Sequence, residues 1–129
     1  MPEPLLNALL MADRIVTEDN GKKVIVGVFS KFNIPQFPAQ VAPWFLFAAV
    51  ENLEDHNTFT FNLARADTQE VVFSAGGEIQ VQDPTSGVEI VLPVPPIVFR
   101  SQGLHVLQFL VNGHVLISRN LPVNLVGTR

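Results

Sequence analysis

Short segments rich in valine, isoleucine and phenylalanine recur along the whole chain, and polar or proline-containing turns separate them. Segments of this composition and spacing predict β-strands, because β-branched and aromatic side chains pack well on a pleated sheet. The predicted strand segments are residues 8–18, 24–34, 44–53, 58–66, 70–75, 78–82, 88–92, 104–111 and 114–123. We therefore expect an all-β protein, an antiparallel two-sheet sandwich of about eight strands with an immunoglobulin-like layout.

Two proline-rich segments interrupt this pattern. Residues 34–43 contain three prolines and predict an extended connection that crosses between the sheets. Residues 92–97 lack a backbone N–H at three positions, so they predict a sheet edge or a bend. The residues predicted to form the core are Ile25, Phe29, Leu46, Ala48, Phe59, Phe61, Leu63, Val106 and Phe109.

The dipeptide Asn20-Gly21 predicts the turn of a first hairpin, because a two-residue type I′ turn needs positive φ at both central residues. With this loop Asp19 faces Lys22 and Glu18 faces Lys23, which predicts two exposed ion pairs at the tip. Farther from the tip, apolar residues fall on both faces of the hairpin. Since a sheet with one wet face alternates apolar and polar residues, this hairpin indicates a second buried surface.

The dipeptide Asn112-Gly113 predicts a second hairpin in the same way. One of its faces carries Leu107 and Phe109, and we expect that face to lie on the core. The other face is also apolar, although it has no predicted sheet to cover it. The residues of that face predicted to form an interface are Gln108, Leu110, Val115, Ile117 and Arg119.

The composition of the chain excludes several classes of protein. A length of 129 residues predicts a single domain that spans residues 1–129, and a hydrophobic content of 47% excludes disorder. The absence of cysteine excludes a disulfide scaffold, a cysteine zinc site and a cysteine nucleophile. A net charge of −4 disfavours binding to nucleic acid. We expect a cytoplasmic protein, because the chain carries neither a basic signal sequence nor an apolar run of about 20 residues.

Six short motifs are distributed over most of the chain. They are Ala12-Asp13-Arg14-Ile15-Val16, Asn20-Gly21-Lys22, residues 24–29, Phe37-Pro38, Trp44-Phe45-Leu46-Phe47 and Asn112-Gly113. Together they resemble a family of short bacterial proteins that carry a domain of unknown function. The resemblance implies a β-sandwich, and it brings no catalytic residues to assign to this chain.

The three histidines do not predict a metal site. In the predicted register His105 lies opposite Asn120 and shares a face with His114, but six residues of strand place the two rings about 20 Å apart. His56 lies in a polar turn beside Glu54 and Asp55, where a solvated loop explains it. We therefore expect no metal and no cofactor.

Acidic residues cluster at the predicted strand ends, where loops from one end of a sandwich could come together around Ca²⁺. These residues are Glu18, Asp19, Glu51, Glu54, Asp55, Asp67 and Glu70. No loop has the Asp-x-Asp-x-Asp-Gly density that identifies a calcium loop, so solvated turns are the first interpretation.

Asp13 differs from the other acidic residues because it lies within a strand, on the same face as Ile15. A buried carboxylate needs a partner, and Arg65 or Arg119 would supply a structural one. A subunit contact and a catalytic role are the alternatives. The dipeptide Gly76-Gly77 could form a backbone nest for an anion, although a bulge or a tight turn is the simpler interpretation.

The distribution of charge predicts self-association. Residues 1–89 hold all 12 acidic residues and 5 of the 8 basic ones, which gives −7. Residues 90–129 hold Arg100, Arg119 and Arg129 with no carboxylate, which gives +3. Complementary charge beside an apolar face orients association. We expect a homo-oligomer or an assembly with a protein partner through the second hairpin. The alternative is a monomer in which the two proline-rich segments cover that face.

These features favour a non-catalytic interaction or structural protein, because no set of residues combines a nucleophile, a base and oxyanion donors. We expect no enzyme activity and no binding to nucleic acid or membrane. Two alternatives remain open. One is a small-ligand or Ca²⁺-binding domain, or an enzyme, with a carboxylate-lined site at the strand ends. The other is a subunit of a phage-derived or other large intracellular assembly.

Overall fold

A computed structural model describes residues 3–83 and 85–126, and within these ranges the chain forms strands and no helix. The strands are β1 (Leu5–Thr17), β2 (Lys23–Phe29), β3 (Phe32–Ile34), β4 (Ala39–Val41), β5 (Trp44–Glu51), β6 (His56–Arg65), β7 (Val71–Gln80), β8 (Val88–Val94), β9 (Ile97–Phe99), β10 (Gly103–Val111) and β11 (His114–Leu125). The all-β prediction is confirmed, whereas the expected number of strands was too small.

The strands form three sheets. A four-stranded sheet has the order β2-β1-β5-β8, a five-stranded sheet has the order β3-β11-β10-β6-β7, and β4 pairs with β9. All pairs are antiparallel except β3 with β11, so the prediction of a purely antiparallel protein was wrong in this one pair. The additional strands come partly from the proline-rich segments, because β4 lies within the first segment, β9 begins at the last residue of the second, and the two strands pair with each other.

One hydrophobic cluster takes side chains from all three sheets. Its largest fully buried members include Trp44, Phe61, Phe99 and Phe109. Of the predicted core residues, Leu46, Ala48, Phe61, Leu63 and Phe109 are buried, and Phe29 and Phe59 pack against the cluster while partly exposed. The prediction was wrong for Ile25, which lies outside the cluster, and for Val106. Val106 points away from the core because it alternates with His105 and Leu107, which are both buried.

The proline-rich segments close the main core. Ile97 and Phe99 of β9 are buried in the hydrophobic cluster, and the ring of Phe99 meets the His105 ring edge-on at 5.0 Å. His105 lies on the core side of β10. These segments therefore do not provide the cover over the second hairpin that the monomer alternative required.

The four-stranded sheet is strongly curled. Lys23 on one edge strand forms an ion pair with Glu89 on the other edge strand, with 3.4 Å between Nζ and Oε1. Lys23 pairs with Thr17, whereas Glu89 is aligned through β5 with Ala8. Nine residues of straight strand would separate Thr17 from Ala8 by about 30 Å. The first hairpin must therefore fold back across the sheet.

This curl creates the second buried surface that the first hairpin indicates. Ala12 and Phe47 are 0% and 6% exposed, although they lie on the face of the sheet opposite to Met11 and Leu46. A residue on an open outer face would be solvated, so the folded-back hairpin explains their burial. The apolar pattern on both faces of β1 thus has a structural reason within the chain.

The turn of the first hairpin differs from the prediction. Gly21 has a φ of 86°, Asn20 is not among the residues with positive φ, and the N–H of Glu18 donates to the carbonyl of Lys22 at 2.8 Å. The loop therefore has three residues, and the predicted ion pairs of Asp19 with Lys22 and of Glu18 with Lys23 do not form. The side chain of Asn20 explains the difference, because it accepts a hydrogen bond from the N–H of Lys22 and closes an Asx turn.

Candidate interaction surface

The second hairpin has the predicted turn. Asn112 and Gly113 have φ angles of 53° and 82°, as a type I′ turn requires, and Leu110 pairs with Val115. The register then shifts, because Phe109 pairs with Ile117 and leaves one extra residue on β11. Such a β-bulge turns every following side chain of the strand to the opposite face.

The bulge divides the five residues predicted to form an interface. Gln108, Leu110 and Val115 remain on the outer face of the five-stranded sheet. Ile117 and Arg119 point inward, since they pair with the buried residues Phe109 and Leu107. Ile117 packs against the core, and Arg119 donates a hydrogen bond to the carbonyl of Leu9 in the other large sheet at 2.5 Å. The expectation that all five share one face was wrong.

The outer face of the five-stranded sheet carries three central rows of four residues each. Across the strands β11, β10, β6 and β7 these rows are Val115, Leu110, Thr60 and Gly76; Ser118, Gln108, Asn62 and Ser74; and Asn120, Val106, Ala64 and Val71. None of the twelve residues is charged. We call these three rows the uncharged face.

The uncharged face is accessible. Val115 and Val71 at its margins are 48% and 53% exposed. A groove of about 370 Å³ lies at one end of it, beside Asn62, Val106 and Gln108, and Arg65 outside the face also lines this groove. From the spacing of strands and residues the face covers about 400 Å², which is roughly half of what each partner contributes to a stable interface. The apolar centre of an interface is smaller than the whole contact, so the area of this patch is compatible with such a centre.

The turn that carries β10 and β11 is held to the rest of the sheet by asparagine side chains. Asn112 accepts a hydrogen bond from the N–H of Thr58 at 2.9 Å and donates one to Oδ1 of Asn57 at 3.1 Å. Asn57 is only 3% exposed, and it also donates to the carbonyl of Glu54 at 2.6 Å and accepts from the N–H of Glu54 at 3.0 Å. This network fixes the orientation of the second hairpin, whose strands β10 and β11 carry part of the uncharged face.

Sequence reasoning missed Asn57. An asparagine that directly follows the polar turn at Glu54 resembles an ordinary turn residue. Its burial arises because Asn112, which is 55 positions away in the chain, docks on it. The sequence signalled only the other partner of this contact, because the predicted type I′ turn gives Asn112 a positive φ.

Asp13 does not have the predicted buried environment. Asp13 is exposed, and its carboxylate lies against Gly27, where an added Cβ would be within 2.8 Å of the carboxyl carbon. Arg65 is occupied elsewhere, because its guanidinium donates to both carboxylate oxygens of Asp67 and to the carbonyl of Gln102. The hydrogen bond from Arg65 holds the pKa of Asp67 below its usual value.

Neither the anion nest nor the Ca²⁺ site, which the sequence left open as alternatives, is formed among the described residues. Gly76 and Gly77 lie within β7, pair with Thr60 and Phe59 in continuous register, and have no positive φ. They form no nest, and the prediction of a bulge or a tight turn was wrong. Within residues 3–83 and 85–126 no group of three histidine or acidic residues is close enough to hold a metal ion. Arg129, which contributes to the positive charge of the C-terminal part, lies outside the described residues.

His105 is a buried core residue. It is 1% exposed, and its Nδ1 lies 3.1 Å from the carbonyl oxygen of Gly103, which fits a neutral ring that donates from Nδ1. It pairs with Leu121 because of the bulge, and not with Asn120 as predicted. Burial lowers the pKa of His105 below its ordinary value.

We expect the free energy of unfolding to fall as the pH decreases below the ordinary histidine pKa of 6.5. The unfolded chain binds a proton there and the folded chain does not, so the stabilisation is complete only above that pH. Chemical denaturation between pH 7.5 and 5 measures the slope. The slope decreases in His105→Gln and is unchanged in the matched variant of exposed His114, His114→Gln. Equal slopes for wild type and His105→Gln would contradict this assignment.

No helix in the described part of the chain is long and apolar enough to cross a membrane.

The fold and the surface define the class of this protein: it is an all-β chain with an accessible, uncharged sheet face. The sequence model of the Family of unknown function DUF6941 matches residues 7–124. Because the match covers most of the 129 residues, the chain belongs to this family. None of the curated proteins matches the chain.

Chains of solved structures also match, 29 in number. One of them is the Pseudomonas fluorescens alkylpurine DNA glycosylase AlkC bound to DNA containing an abasic site analog. Its identity to this chain is 12% and its TM-score is 0.48. The match covers 90% of this chain and 30% of that chain, so this protein spans less than a third of the length of the glycosylase chain.

Proposed function

We propose that this protein is a non-catalytic interaction or structural protein that self-associates through the uncharged face. The observation that carries the proposal is the absence of charge from twelve neighbouring positions on an accessible sheet face. The chain has 12 acidic and 8 basic residues, and none of these lies on the uncharged face. Depletion of charge is typical of the centre of a protein interface.

The chemistry of the face favours a second copy of the chain as the partner. In a two-fold symmetric contact each residue near the axis meets its own copy, so a charged residue there would be repelled. Gln108 and Asn62 in the central row avoid this, since an amide side chain both donates and accepts hydrogen bonds and can pair with its own copy. Leu110, Val106 and Val115 supply apolar area on either side of the amides.

Self-association is now proposed because this face carries no charge, and no longer because the two parts of the chain carry opposite net charge. That argument relied on Arg119, which points inward and donates to Leu9, and on Arg129. Self-association through the uncharged face needs neither residue.

We also propose that the two larger sheets are the layers of a β-sandwich with an immunoglobulin-like layout. The order β11-β10-β6-β7 agrees with strands G, F, C and C′ of such a fold, and β1-β5-β8 agrees with strands A, B and E. The shared hydrophobic cluster supports two facing layers. We further propose a cytoplasmic location. We propose a protein partner over nucleic acid, because the net charge of −4 gives nucleic acid little attraction.

Single cysteines test the proposed contact directly, because the chain contains no cysteine. We expect Gln108→Cys to form a disulfide-linked dimer under mild oxidation, since the two copies of this residue lie close to the two-fold axis. Exposed Ser30, outside the uncharged face, provides the matched control Ser30→Cys, which remains monomeric on a non-reducing gel. Equal cross-linking of both variants would show random collision and would contradict the proposed contact.

A further inference from the structure

Two strand edges lack a pairing partner and lie next to each other. Among the described residues, β2 pairs with β1 only from Met11 onward, so residues 5–10 of β1 pair with β5 alone. In β11, β3 pairs only with Val123–Leu125, so residues 114–121 pair with β10 alone. An unpaired strand edge presents backbone N–H and C=O groups on which an extended peptide can add as a new strand.

The two edges run side by side in the same direction, with cavities between them. Glu3, just before β1, and His114, at the start of β11, line a cavity of about 610 Å³. Farther along, residues 6–10 of β1 line a second cavity of about 410 Å³ with Ile117 and Arg119 of β11. We call this line of cavities the β1–β11 seam. The seam gives access to both edges over about five residues of each strand.

Arg119 occupies the seam without filling it. Its one hydrogen bond in the described part of the chain goes to the carbonyl of Leu9, although a guanidinium has five N–H donors. An inward-pointing charged side chain is a common way to protect a free strand edge from aggregation. Arg119 lines a cavity, and its remaining N–H groups can donate to a carboxylate there in bidentate geometry.

The other end of the seam has the opposite charge. Glu3 and Glu54 line the larger cavity, and Val111 and Leu116 give it an apolar wall. This combination suits a lysine or arginine side chain, whose aliphatic stem packs on apolar residues while its charged end meets the carboxylates. The distance from His114 to Arg119 along β11 is about 16 Å, which corresponds to about five residues of extended peptide.

We propose that the β1–β11 seam binds an extended segment of a partner protein by strand addition. A basic side chain of the segment occupies the cavity at Glu3 and Glu54, and a carboxylate about five residues away binds Arg119. The seam lies on the side of β11 away from β10 and is separate from the uncharged face, so this binding does not depend on self-association.

Synthetic ten-residue peptides of alternating valine and threonine test the proposal. Each carries one lysine and one glutamate five positions apart, in either order, together with a fluorescent label for anisotropy measurements. We expect one order to bind in the micromolar range, and replacing its glutamate by lysine to weaken binding about tenfold or more. Alternate residues of the peptide can be N-methylated in two ways, at the odd or at the even positions. One of these two peptides should not bind, because it lacks the N–H groups that pair with the strand edge.

A charge exchange keeps the test independent of protein stability. We expect the Arg119→Glu variant to have no affinity for the original peptide and to bind the peptide in which lysine replaces glutamate. The matched control Arg100→Glu, which changes an exposed residue, binds both peptides as the wild type does. The proposal is overturned if neither peptide order binds. It is also overturned if binding is unaffected both by N-methylation of the peptide and by the charge exchange. If Arg119→Glu instead abolishes self-association, the seam is occupied by a second copy and the partner-peptide proposal fails.

Discussion

Placing a charge at Gln108 should convert the protein to a monomer. Gln108→Lys and Gln108→Glu each bring like charges together in the centre of the two-fold contact, where repulsion and desolvation cost several kcal/mol. A cost of about 3 kcal/mol weakens the association about 100-fold. The fold tolerates both variants because Gln108 lies on the outer face of the sheet.

Mixing the two variants makes the test specific. Lysine and glutamate at the same position attract each other across a two-fold axis, so an equimolar mixture should associate although each variant alone does not. Ser30→Lys adds the same charge outside the uncharged face and should associate as wild type does. Size-exclusion chromatography with light scattering follows all four samples. A mixture that stays monomeric would exclude a contact in which Gln108 meets its own copy.

Replacing Asn57 by leucine should give the largest loss of stability among the substitutions considered. The change keeps the side-chain volume, but it leaves the N–H and the carbonyl of Glu54 and the amide of Asn112 without their partner. Each buried polar group left without a partner costs about 1–3 kcal/mol. We therefore expect the free energy of unfolding to fall by about 3 kcal/mol or more in urea denaturation.

A second asparagine provides the matched control for Asn57→Leu. Asn33 is exposed, and its Oδ1 accepts a single hydrogen bond of 3.4 Å from Asn124. Asn33→Leu should change the free energy of unfolding by less than about 0.5 kcal/mol. Equal losses for Asn57→Leu and Asn33→Leu would contradict the view that the network around Asn57 fixes the second hairpin.

The sequence predicted the β-class and most strands because each strand carries its own valine, isoleucine and phenylalanine residues. It failed where strands depend on distant parts of the chain. Residues 70–75 and 78–82 were separated at Gly76-Gly77, yet β7 is continuous because its partner β6 pairs along this whole stretch. The short strands β4 and β9 were missed since each exists only because the other pairs with it.

The prediction of the interface residues failed for the same reason, here because of a single extra residue in β11. The type I′ turn follows from Asn112-Gly113 alone, and the positions of Leu110 and Val115 were correct. The bulge in β11 comes from tertiary packing, because it brings Ile117 onto the core and Arg119 to the carbonyl of Leu9. No local signal in β11 distinguishes this arrangement from a regular strand, so Ile117 and Arg119 were assigned to the wrong face.

Sedimentation velocity of the wild-type protein at micromolar concentrations is the most direct test of self-association through the uncharged face. The chain has a mass of 14.2 kDa. We predict a species of at least twice this mass whose share rises with concentration, and its loss in Gln108→Lys. A single species of 14.2 kDa at every concentration, with the same sedimentation for wild type and Gln108→Lys, would contradict the proposed function.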